Sequence, residues 1–162
     1  MTLGELRGQP HAVRCLVNAL ETGRVGHAYF LYGPPGTGKQ EAAIAFARAL
    51  NCEARPTPSS ACGACRPCTD LERGILPEFL ELGPEEDSDR GRSFHTETIS
   101  KAIAWAARRA LTGRTKACVM RDVHLMSHEA ANHFLKMLEE PPPATVWLLL
   151  APDPEAVLPT VR

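Results

Sequence analysis

Apolar residues along this chain fall into blocks of two kinds, spaced helical stretches and short unbroken runs. Over residues 10–22 (PHAVRCLVNALET), Val13, Leu16, Val17 and Leu20 recur at helical spacing, which predicts a helix with one apolar face. YFLY at 29–32 is an aromatic and apolar run that stops at Gly33, and it predicts a buried strand. QEAAIAFARAL at 40–50 is rich in strong helix formers and predicts the next helix. EFLEL at 78–82, KACVM at 116–120 and VWLLLA at 146–151 predict three more strands. ETISKAIAWAARRAL at 97–111 puts Ile99, Ile103, Ala107 and Leu111 on one face, which predicts a helix over the whole stretch. Ser127 is placed to cap a helix over 128–139, with Glu129 in its first turn and Pro141–Pro143 ending it. The polar, glycine-containing stretch 83–94 (GPEEDSDRGRSF) predicts a mobile loop. No internal repeat is visible.

Strands that alternate with helical patterns predict an α/β fold, a parallel sheet with helices on both faces. A chain of 162 residues suits one domain with a real core. Its composition is globular, 44% hydrophobic and 23% charged. A net charge of -1 excludes an overall basic footprint for nucleic acid and leaves only local patches, such as that around Arg108 and Arg109. The N-terminus MTLGELRGQPH lacks the basic and apolar regions of a secretion signal. VWLLLA is far too short to span a bilayer. A cytoplasmic protein without membrane contact is expected.

GPPGTGKQ at 33–40 follows a predicted strand and opens a predicted helix. That is the setting of a phosphate-binding loop of the form G-x-x-x-x-G-K-[ST]. Gly33, Pro34, Pro35, Gly36, Thr37 and Gly38 would form the cradle, whose backbone N–H groups turn toward a phosphate. Lys39 would reach the β- and γ-phosphates. Gln40 stands where the motif wants a hydroxyl. A hydroxyl is a small, hard ligand for Mg²⁺, whereas a glutamine amide oxygen is neutral and sits on a longer stem. Metal-assisted hydrolysis is therefore in doubt, while phosphate binding can survive.

Two later positions fall on the same chemistry. In ACVMRDVHLMS at 117–127, Arg121 occupies the place of a metal-holding aspartate and Asp122 that of a water-activating glutamate. In the other register Asp122 holds the metal and Val123 replaces the glutamate, so one role is lost either way. Asp122 is the candidate catalytic residue only if the site is active. After the strand at 146–151, Pro152 has neither a side-chain donor nor a backbone N–H with which to sense a γ-phosphate.

Four of the six cysteines cluster as Cys52, Cys62, Cys65 and Cys68. In an intracellular chain that clustering points to metal, not disulfides. The turns of CGACRPC let thiolates converge on tetrahedral Zn²⁺, and Cys52 would supply the fourth ligand. The Cys-, Pro- and Ser-rich loop 51–70 would then be stapled at both ends. No open coordination position is suggested, so the zinc would be structural. Cys15 and Cys118 lie in apolar stretches and are expected in the core. His27 and His124 are expected to be structural.

Several segments in order resemble the clamp-loader subunits of bacterial DNA polymerase III, members of the AAA+ class. They are RGQPHAVRCLVNALETGRVGHAYFLYGPPGTGK, LNCE followed by CGACRPC, GILPEFLEL, and HLMSHEAANHFLKMLEEPPPATVWLLLA. The zinc insertion together with LKMLEEPP makes the resemblance specific. It implies a three-layer P-loop (AAA+) domain over residues 1–162, with a small zinc-binding insertion near 51–70. Lid and collar domains are expected to belong to a longer protein. The departures at Gln40, Arg121 and Pro152 make the chain more similar to the delta-prime subunit than to the gamma/tau motor. The resemblance implies a stator that helps ATP-driven loading of the sliding clamp onto primed DNA. Its partners would be the gamma/tau and delta subunits, and through them the clamp and the DNA. Two alternatives stay open: an active gamma/tau-type ATPase using Lys39 and Asp122, and another AAA+ regulator. Whether ATP or ADP occupies residues 33–40 also stays open.

Overall fold

The computed structural model describes residue 3 and residues 10–87, 91–112 and 114–157. Four parallel strands make the main sheet in the order β1-β6-β5-β2. They are β1 (Ala28–Tyr32), β2 (Phe79–Leu82), β5 (Lys116–Met120) and β6 (Thr145–Ala151). All four predicted strands are present. The two central ones, β5 and β6, are buried at every position, which is why they read as unbroken apolar runs.

Side chains alternate across this sheet into two cores. On one face Leu31, Ala117, Val119, Val146, Leu148 and Leu150 meet helices α1 (Pro10–Thr22), α2 (Lys39–Asn51) and α3 (Arg66–Glu72). On the other, Cys118, Met120, Trp147, Leu149 and Ala151 meet α4 (Thr96–Ala107) and α5 (His128–Glu139). Phe134 of α5 stands edge-on to Trp147, with ring centroids 5.0 Å apart. Helices thus cover both faces. Ser127 caps α5, its hydroxyl accepting from Ala130 N at 3.1 Å.

Four expectations need correction. The helix predicted over 97–111 ends at Ala107, and Leu111 is 81% exposed. Buried Lys116 Nζ donates to the carbonyls of Trp105, Ala106 and Arg108, and so holds the carbonyl end of α4. Thr112 N is held in turn by the buried carboxylate of Glu78 at 2.9 Å. These contacts draw the chain out of the helix. Cys15 is exposed, because α1 buries Leu16, Ala19 and Leu20 instead. Cys118 is buried as expected. The stretch 51–70 is not loop throughout, since α3 begins at Arg66.

The fourth correction concerns 83–94, which holds an antiparallel hairpin of β3 (Glu85–Asp87) and β4 (Gly91–Ser93). Thr98 Oγ1 donates to Glu85 Oε1 at 2.6 Å, and buried Phe94 bridges to Met126. The hairpin is thereby tied to α4 and to the turn after β5. Residues 88–90 lie outside the described residues.

Candidate functional site

The loop Gly33–Gly38 leaves the carboxyl end of β1 and runs into α2. In open α/β sheets ligands bind outside those strand ends. Gly36 (φ 77) and Gly38 (φ 79) adopt left-handed backbone, which other L-residues rarely reach. A cavity of about 240 Å³ opens here, lined among others by Gly36, Lys39, Gln40, Arg121, Asp122 and Pro152. The three departures seen in the sequence, 112 residues apart at their extremes (Gln40 and Pro152), therefore line one site.

Lys39 is folded back on its own loop. Its Nζ donates to the carbonyl oxygens of Gly33 at 2.6 Å and Pro34 at 2.8 Å, and reaches Thr37 Oγ1 at 3.4 Å. Thr37 Oγ1 donates to Pro34 O at 2.8 Å. Lys39 thus satisfies carbonyls of its own loop. A phosphate entering the loop would exchange these neutral acceptors for charged ones, a stronger class of hydrogen bond.

Gln40 turns away from the loop. Its Nε2 donates to Glu81 Oε1 of β2 at 2.6 Å. The same carboxylate oxygen lies 3.1 Å from Arg121 Nε. That N–H is not aligned on the oxygen, so the Arg121–Glu81 contact is coulombic. The guanidinium also passes close over Gly83, where a Cβ would come within 2.9 Å of it. Asp122, in left-handed backbone at the turn after β5, accepts from Arg92 of the hairpin at 3.2 Å. Glu81 and Asp122 are therefore each committed to an arginine.

Sequence reasoning placed Gly33–Gln40, Arg121, Asp122 and Pro152 in one neighbourhood and missed Glu81, Gly83 and Arg92. The cue for Glu81 was a lone charge inside the apolar run FLEL. Arg92 carried no cue, because its partner depends on a hairpin read as a loop.

The cysteine cluster lies between the end of α2 and the start of α3. The sulfurs of Cys52, Cys62, Cys65 and Cys68 all lie within 4.8 Å of one another. Cys52 and Cys65 are 3.9 Å apart at sulfur. That is far beyond the ~2.05 Å of a disulfide. Four Zn–S bonds of ~2.3 Å give a tetrahedron with an edge of ~3.8 Å, so the spacing fits zinc. Backbone N–H groups of Ala64 and Cys65 donate to Cys62 Sγ and lower its thiol to about 6. Burial pushes the Cys68 thiol up to about 12 and also raises Cys52. One thiolate is ready-made, and the buried thiols need a cation beside them before they ionise. The four residues fit a structural metal.

His27 serves through its backbone, its carbonyl accepting from Trp147 N at 2.8 Å. Among the described residues no helix is long and apolar enough to cross a membrane.

Comparison with known proteins decides the family. The model for "DNA polymerase III, delta subunit" matches residues 8–162. This chain belongs to the DNA polymerase III clamp-loader family. It is 33% identical over 160 residues to the tau subunit of Salmonella typhimurium, covering 99% of the chain and 24% of that protein. It is 36% identical over 136 residues to the delta' subunit of Pseudomonas aeruginosa, covering 84% of the chain and 40% of that protein. Over 161 residues it is 31% identical to the gamma/tau subunit of Mycobacterium tuberculosis, covering 99% of the chain and 27% of that protein. A DNA polymerase III gamma subunit-related protein from Thermotoga maritima shares the fold, with a TM-score of 0.60 at 19% identity over 94% of this chain and 42% of that one. The clamp-loader domain described here thus spans roughly a quarter to two-fifths of the curated relatives' lengths.

Proposed function

We propose that the chain is the ATPase-like domain of a delta-prime-type clamp-loader subunit, a cytoplasmic stator that does not itself hydrolyse ATP. It works beside gamma/tau and delta subunits in ATP-driven loading of the sliding clamp onto primed DNA. One observation carries this reading: Glu81 of β2 and Asp122 of the turn after β5, the acids near the phosphate loop, are each paired with an arginine. A hydrolytic site needs such carboxylates to hold Mg²⁺ and to orient water. Pro152 adds no donor at the γ-phosphate side. The four cysteines hold a structural Zn²⁺ that staples the excursion between α2 and α3.

The second reading, an active gamma/tau-type ATPase, draws on the intact glycine cradle with Lys39 and on the 33% identity to a tau subunit over 160 residues. Steady-state hydrolysis by the purified full-length protein with Mg²⁺ separates the two. No turnover is expected. Turnover that Lys39→Ala abolishes would overturn the stator reading.

A further inference from the structure

A clamp-loader nucleotide site implies Mg²⁺, and the residues at this cavity do not fit it. Magnesium needs near-octahedral oxygen ligands, commonly one or two carboxylates with waters and phosphate. Glu81 is held between Gln40 Nε2 and Arg121 Nε. Asp122 is held by Arg92. Gln40, at the hydroxyl position of the loop, is drawn toward Glu81. Among the described residues Glu41 is the one cavity-lining carboxylate without such a partner, and it sits exposed in the first turn of α2. A single exposed carboxylate in a cavity also lined by a guanidinium is a poor seat for a divalent cation, because like charges repel there.

The same groups suit a polyanion. Lys39 and Arg121 line the cavity from opposite elements, α2 and the end of β5. A guanidinium has five N–H donors in a rigid fork, and the Glu81 contact engages only the Nε edge. Its side chain is 43% exposed, so it remains accessible. The cradle adds backbone N–H groups and the positive end of α2.

We propose that Arg121 replaces the divalent cation, so that this cavity takes a nucleoside di- or triphosphate as the metal-free anion in preference to its magnesium complex. The inference rests on the reading that the phosphate loop still binds phosphate without hydrolysing it. Magnesium neutralises two charges of the nucleotide, and those are charges that Lys39 and Arg121 are placed to meet. Excess magnesium therefore competes with the protein.

Titration calorimetry of the full-length protein with ADP and with ATP, in EDTA and in excess Mg²⁺, tests this. Affinity in EDTA is expected to exceed that in Mg²⁺ by about tenfold, the worth of one charge-assisted contact. Arg121→Ala is expected to weaken metal-free binding by about 10–100-fold and to abolish the preference. Should that variant melt early, Arg121→Gln keeps much of the side chain's bulk, and removing the charge should still erase the preference. Equal or tighter binding with Mg²⁺ and no hydrolysis would overturn the inference and leave the stator reading intact. So would absence of binding to millimolar nucleotide under both conditions. Hydrolysis in Mg²⁺, measured on the same samples, would overturn the stator reading itself.

Discussion

Removing metal from the cysteine cluster should destabilise the domain by an amount that its geometry allows one to estimate. The segment from Cys52 to Cys68 leaves the end of α2 and returns at α3, and its sulfurs converge within 4.8 Å. A metal bridging them closes a loop of roughly seventeen residues. Denying the unfolded chain that freedom is worth about 3 kcal/mol by loop-closure entropy. In a domain of this size each kcal/mol moves the melting temperature by ~2–4 °C, so chelation should lower it by ~6–12 °C. The assay is thermal denaturation of freshly reduced full-length protein before and after a zinc chelator, with elemental analysis alongside. One zinc per chain is expected, reduced by Cys65→Ser and untouched by Cys15→Ser, since Cys15 lies outside the cluster. Absence of metal, or loss of metal with an unchanged melt, would refute the staple.

Gln40→Thr alone should not start hydrolysis in a steady-state ATPase assay, because Arg121 still holds Glu81 and no carboxylate is released for the metal; robust turnover would show that the roles assigned to 121 and 122 are wrong. Lys116→Met should cost about 2 kcal/mol or more in urea denaturation, since it frees the carbonyls of Trp105, Ala106 and Arg108 at the end of α4 from their charged donor. A loss under about 1 kcal/mol would mean that water serves those groups instead. Ser127→Ala should cost about 1 kcal/mol through loss of the Ala130 cap, read in the same titration.

Much of this fold is legible along the chain because each element carries its own local signature. The strands over 116–120 and 146–151 are central and buried on both faces, so their apolar runs needed no partner to be recognised. The helix over 128–139 announces itself by Ser127 at one end and prolines at the other. CGACRPC and GPPGTGK are similarly local, since their chemistry depends on spacing within a few residues. The helix over 97–111 was overextended because its end is set by Lys116 from a strand, not by any breaker in the helix. Polar composition hid the β3–β4 hairpin, whose hold on the domain comes from Glu85 with Thr98 and Phe94 with Met126.

For function the division is the same. The sequence alone determined that residues 33–40 match a phosphate-loop motif, that Gln40, Arg121 and Pro152 depart from its usual partners, and that four cysteines can converge. Only the tertiary structure decided what those departures do. Gln40 and Arg121 meet on Glu81, and Asp122 meets Arg92, through contacts between residues some 30 to 41 positions apart. No periodicity encodes such pairings, because they depend on which strand ends the fold sets side by side. The physical reason lies in charge: an arginine beside a carboxylate makes it a weaker seat for a cation, and nothing in the chain order of residues 81, 92, 121 and 122 reveals that proximity.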